Sequence, residues 1–144
     1  MTETGPEPGA PDLRPEVETV HALLAAWLGS AASPQILDAF AAAHHDDFSM
    51  VTIDGSVVRK TDLLSGLHRA RNSRPGLTIT VSAVELLCAT ADTVVIRFVE
   101  CQQAGGRREF RRTTAVLLAE DGRYRWLALQ ETAVDGEQVA DSFD

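Results

Sequence analysis

The chain of 144 residues has only two cysteines, Cys88 and Cys101, and a single tyrosine, Tyr124. Two thiols exclude a disulfide framework by count, and neither a CxxC pair nor a Cys–His spacing suited to zinc occurs. Both are expected as reduced core residues. No apolar run approaches the ~18 residues that a spanning helix needs. The start, MTETGPEPGAPD, has acids and prolines where an export leader would carry bases and an apolar stretch. A cytoplasmic address and no membrane partner are therefore expected. There is also no glycine-rich phosphate loop, no GxSxG and no HExxH, so neither metal nor cofactor is expected. Positive charge is not in excess either. The net charge of −8 resides at the ends, four acids in residues 1–16 and five in 131–144, which leaves a body of twelve acids and twelve bases. A balanced body lacks the basic face that nucleic acid requires.

What is present reads as one domain with two acidic ends. Residues 1–11, rich in proline and glycine, are expected as a disordered tail, residues 12–134 as the domain, and 135–144 as an acidic C-terminal tail. Val17, Val20, Leu24, Trp27 and Leu28 recur at helical spacing from an N-cap at Asp12 to Gly29. Ser33-Pro34 opens a second helix that carries Ile36, Leu37 and Phe40 and ends around His45. FSMVTI and SVVR flank Asp54-Gly55, a hairpin signal, and Thr61 caps a short third helix. Four long segments rich in Val, Ile, Thr and aromatics follow, at 77–89, 93–103, 107–120 and 123–134, separated by tight turns. Helices first and strands after predict an α+β domain whose curved, mostly antiparallel sheet wraps over its helices.

The stretch HHDDFSMVTIDGSVVRKTDLLSGL (44–67) resembles a signature of the nuclear-transport-factor-like superfamily, which includes ketosteroid isomerase and the SnoaL-like polyketide cyclases. The ending RYRWLALQETAV is similar to the Trp-bearing last strand of a branch known only as a domain of unknown function. The resemblance spans roughly 14–134. It implies a cone-shaped fold with helices in the concave face of the sheet, a ligand cup, and dimerisation through the sheet. It does not imply steroid isomerisation, because the first helix offers Trp27 and His21 where that enzyme has a tyrosine.

Two-residue turns would place Glu100 opposite Arg111, Phe98 opposite Thr113, and Thr113 opposite Gln130. Glu85, Ile96 and Trp126 then share the concave face. Trp27, Phe40, Phe98, Thr113, Trp126 and Gln130 are thus the expected ligand-binding residues, and His44, His45, Glu85 and Glu100 the candidate acids and bases. His44 and His45 read equally as a polar helix end, and His21 as a satisfied core residue. Arg107, Arg108, Arg111 and Arg112 alternate across a strand and are expected to pair with acids across it. The function expected first is a small-molecule-binding domain with a cup for an apolar or aromatic ligand. A cofactor-free isomerase, cyclase or dehydratase and a non-catalytic scaffold stand beside it. The convex strip Val84, Leu86, Val95, Val99, Val116, Leu127 and Leu129 is expected to join a homodimer.

Overall fold

Turn chemistry sets the long strands. At Gly105-Gly106 (φ 58° and 80°) and Asp121-Gly122 (φ 52° and 80°) both central residues are left-handed, which matches the twist of a two-residue hairpin. The computed structural model describes residues 10–143. In chain order these form α1 (Arg14–Gly29), α2 (Pro34–Ala42), β1 (His44–Val51), β2 (Val57–Arg59), α3 (Lys60–Arg69), β3 (Thr78–Ala89), β4 (Thr93–Ala104), β5 (Arg107–Glu120), β6 (Arg123–Val134), α4 (Gly136–Val139) and a final 3-10 turn, Ala140–Phe143. The sheet order is β2-β1-β6-β5-β4-β3. All neighbours are antiparallel except β1 and β6, which run parallel. The α+β architecture with a curved sheet over helices is as the sequence predicts.

Helices α1 and α2 bury one face in the sheet's hollow. Val17, Val20, Trp27 and Phe40 meet Phe48, Ile96, Phe98, Leu117 and Trp126 in one apolar core. The last carbonyls of α1 are satisfied by the chain that enters β3: Asn72, Arg74 and Gly76 donate backbone N–H groups to Trp27, Leu28 and Gly29 at 2.8–2.9 Å. Gly29 is needed there, since a Cβ on it would stand 2.9 Å from the Leu77 backbone.

Several boundaries and facings differ from the sequence reading. Helix α2 ends at Ala42, so His44 and His45 open β1 instead of closing a helix. Helix α1 begins at Arg14, with Asp12 Oδ1 accepting the Arg14 N–H at 3.1 Å, and α3 begins one residue before Thr61. Bulges alter the sheet parity. Ala83 takes φ 55°, and pairing slips between Ser82 and Glu85. Val84 thereby packs against the core and Leu86 stands opposite inward-facing Ile96, though it stays exposed, while Glu85 faces outward opposite Arg97. A second slip, between Val116 and Leu117 on β5, leaves Leu127 unpaired on β6. Trp126 stays inward, but Leu129 and Glu131 follow it there, and Gln130 faces outward opposite Thr114.

The convex face consequently differs from the expected apolar strip. Leu129, Val84 and Leu86 leave it. Val99, with Cys101 and Phe110, is covered by Val139 and Phe143. After β6, Val139 and Phe143 pack on this cluster and Ser142 Oγ lies 2.8 Å from Ser82 Oγ, whereas the expected disorder of 1–11 falls largely outside the described residues. What stays uncovered is mixed: Val95 and Val116 among Arg97, Arg112, Thr114, Gln130 and Thr132. Both cysteines are free, but only Cys101 is buried; Cys88, near the exposed end of the edge strand, is not a core residue. Among the described residues, no helix is long and apolar enough to cross a membrane.

Candidate functional site

The inward face of α1 carries one polar residue into the core, His21, on the same stripe as Val17 and Leu24. Its Nδ1 lies 2.8 Å from the Val17 carbonyl. A carbonyl only accepts, so this nitrogen bears the hydrogen. Its Nε2 lies 3.2 Å from Oε1 of Glu100 on β4, a carboxylate 2% exposed. The other oxygen, Oε2, accepts from Gln102 Nε2 at 2.6 Å, and Gln102 Oε1 accepts from Arg74 Nη1 at 2.6 Å. Burial alone would lower the His21 pKa and raise that of Glu100. The hydrogen bond and charge between them reverse both directions, with Gln102 and Arg111 also holding Glu100 down. The two form a buried imidazolium–carboxylate pair.

Next to it, Arg111 on β5 stands opposite Glu100 in register, and its Nη1 donates to Oε1 of Glu131 on β6 at 3.3 Å. The Glu131 carboxyl is pushed up, first by burial and then by the charge of Glu100, with Arg111 pulling the other way. At the opposite end of β6, His44 on β1 pairs with Trp126 and is 4% exposed. Nδ1 of His44 donates to the Phe40 carbonyl at 2.7 Å, and its ring sits between Phe40 and Phe48 with centroids 4.4 and 4.6 Å away. Burial, with smaller contributions from Lys60 and His21, lowers its pKa to about 4 despite the Phe40 carbonyl. The ring is neutral at pH 7.

These groups border one cavity of about 180 Å³ between α1, α3 and the sheet. Its wall is mostly apolar, including Val20, Leu24, Leu28, Phe48, Met50, Leu63 and Leu129, and its polar side is His21, Glu100, Gln102, Arg111, Glu131 and His44. Of the expected site residues, Phe40, His44, Glu100 and Trp126 line it. Trp27, Phe98 and Thr113 are buried in the layer behind it. Trp27 Nε1 donates to the Leu67 carbonyl at 2.6 Å, and Thr113 Oγ1 is sealed without a partner.

Three expected residues lie elsewhere. Glu85 pairs with Arg97 at 3.3 Å on the outer face, turned there by the Ala83 bulge. Gln130 is exposed on the convex face because of the slip on β6. His45 points to the other side of β1 from His44 and sits 3.9 Å from Glu120, since alternate strand residues face oppositely. The reading missed His21 and Glu131. Glu131 needed the bulge to be known. The signal for His21 was present: a titratable residue on an apolar helix face, with an inward Glu100 in the strand opposite.

No protein-family profile matches the chain, and a search of curated proteins finds no match. Solved structures do match. An NTF2-like protein of unknown function from Pseudomonas aeruginosa is 35% identical over 85% of this chain and 98% of its own, with a TM-score of 0.81. An NTF2-like protein from Cytophaga hutchinsonii (17% identity, 83% and 92% coverage, TM-score 0.64) shares the fold. So does an NTF2-like protein of unknown function in nutrient uptake from Rhodospirillum rubrum (19%, 87% and 100%, TM-score 0.64). The chain belongs to the NTF2-like family.

Proposed function

We propose that this NTF2-like domain binds a small molecule in the cavity under α1, with a body about the size of one ring or a short branched chain. The observation that carries the reading is the cavity itself, about 180 Å³, apolar over most of its wall and with its ionisable groups gathered at the two ends of β6. A dry apolar cavity of roughly 150 Å³ accepts benzene, so the space suits a single ring. The test is binding of toluene and benzyl alcohol by ligand-observed NMR and by thermal shift. Ligand at a hundredfold its Kd adds about 2.7 kcal/mol to the stability. Leu24→Phe, which fills the cavity from α1, should abolish both signals. Saturable binding that survives this substitution would locate the ligand elsewhere.

A second reading is cofactor-free proton transfer, and Glu131 favours it. Its carboxyl has a raised pKa and one oxygen without a partner among the described residues. Glu100, with both oxygens engaged, fits a positioning role better than that of a base. Deuterium exchange from solvent into the methyl group of acetophenone, lost in Glu131→Gln, would support it. Binding without exchange leaves the protein a binding domain. We also propose a homodimer through the convex face, now with Val95 and Val116 at its centre; sedimentation equilibrium tests it, and a mass of one chain would exclude it.

A further inference from the structure

The two ends of the cavity differ in the polar atoms they leave free. Arg111 and Gln102 keep N–H groups at the Glu131 end, whereas at the apolar end, around Phe40 and Phe48, the donors are engaged. Both ring N–H positions of His21 face acceptors, Val17 O and Glu100 Oε1. The Trp126 indole N–H goes to Glu16 Oε2 at 3.1 Å. Arg111 Nε is partnerless but sealed from any probe, as is Thr113 Oγ1. Glu100 already accepts at both oxygens, from His21 and from Gln102. Two acceptors remain, the unbonded oxygen of Glu131, beside the Arg111 guanidinium, and, at the apolar end, the imidazole of His44. With Nδ1–H committed to the Phe40 carbonyl, its Nε2 is a bare lone pair in the neutral ring. That nitrogen has no hydrogen-bond partner among the described residues, and it is not among the sealed atoms. His44 borders the cavity, held rigidly between Phe40 and Phe48 with Trp126 nearby. Lys60 Nζ is directed to the His44 backbone carbonyl and to Asp46, with no bond to the ring.

We propose that the cavity selects a ligand that donates a hydrogen bond, an alcohol, phenol or N–H group on an apolar body, and that Nε2 of His44 is the acceptor that selects it. The inference rests on the reading of the cavity as a ligand site and adds the chemical class. Leaving a buried acceptor unpaired is more damaging than making one hydrogen bond is favourable. A ligand of equal shape that can only accept should therefore bind worse, even where it is the more apolar of the two. The low pKa of His44 agrees, since the ring remains an acceptor throughout the neutral range.

Benzyl alcohol and anisole, constitutional isomers that differ in possessing an O–H, make the test. Their affinities are measured by calorimetric or NMR titration for the wild type and for His44→Phe. The wild type should bind benzyl alcohol about fivefold more tightly or better, and His44→Phe should bind anisole at least as well as the alcohol. Equal or inverted affinities in the wild type overturn the proposal and leave the ligand cavity standing. Failure of both isomers and of toluene to bind overturns the two together. Should His44→Phe not fold, the wild type still decides by imidazole ¹⁵N NMR. The Nε2 resonance of His44 must move upfield on saturation with benzyl alcohol and stay in place with anisole; no movement with the alcohol refutes the assignment.

Discussion

Acid should weaken this protein in part through His44. Its folded pKa is about 4, against 6.5 for an unperturbed histidine. A histidine with a depressed folded value binds its proton more readily when unfolded. At about pH 7.5 both states are neutral and the residue is silent. As pH falls through 6.5 the unfolded chain gains the proton first and stability is lost, and the loss levels off below about 4. A gap of this size amounts to roughly 2.5 kcal/mol by about pH 4.5 and on the order of 3 kcal/mol at saturation. His21, Glu100 and Glu131 also have displaced values, so the effect must be isolated by difference. His44→Asn serves, because an amide can still donate to the Phe40 carbonyl but does not titrate. Urea unfolding of both proteins at about pH 7.5 and about pH 4.5 gives the double difference. The wild type should lose roughly 2.5 kcal/mol more than the variant between the two conditions. A difference below about 0.5 kcal/mol would show that the ring is not held neutral, and with it the acceptor role of Nε2 would fall.

Three further outcomes follow from the geometry. Glu100→Leu leaves His21, Gln102 and Arg111 facing an apolar side chain and should cost about 3–5 kcal/mol, while adding His21→Leu should recover about 1–3 kcal/mol of it in a double-mutant cycle. Leu129→Glu puts a carboxylate into the cavity wall; urea unfolding should show a loss of several kcal/mol with no change of oligomer, whereas a folded monomer would mean that Leu129 faces outward after all. Ending the chain at Asp135 uncovers Val99, Cys101 and Phe110, so Cys101 should become reactive to a thiol reagent in native buffer, while Cys88 reacts in both forms.

The elements were legible where turn chemistry and periodicity are local. Asp54-Gly55, Gly105-Gly106 and Asp121-Gly122 mark hairpins by residue type alone, and the β4–β5 register, Glu100 on Arg111 and Phe98 on Thr113, follows from one two-residue turn. Facing was not legible beyond the bulges. Ala83 adopts a left-handed conformation without being glycine, and nothing in RYRWLALQETAV signals that Leu127 drops out of the pairing. Each slip of one residue exchanges inward and outward, which is how Glu131 replaced Gln130 and how Glu85 left the cup. The parallel pairing of β1 with β6 joins segments some eighty residues apart and has no local cause to read. It is also what brings His44 beside Trp126. The docking of Val139 escaped notice because a four-residue helix is too short for periodicity to show.

The cavity can be interrogated through the two tryptophans. Trp126 lines it and donates its indole N–H to Glu16, while Trp27 lies in the layer behind and donates to Leu67. In ¹H–¹⁵N spectra, titration with benzyl alcohol should move the Trp126 indole cross-peak along a saturable curve and leave that of Trp27 nearly in place. If neither peak moves, or both drift together without saturation, the space under α1 is core and not a binding site.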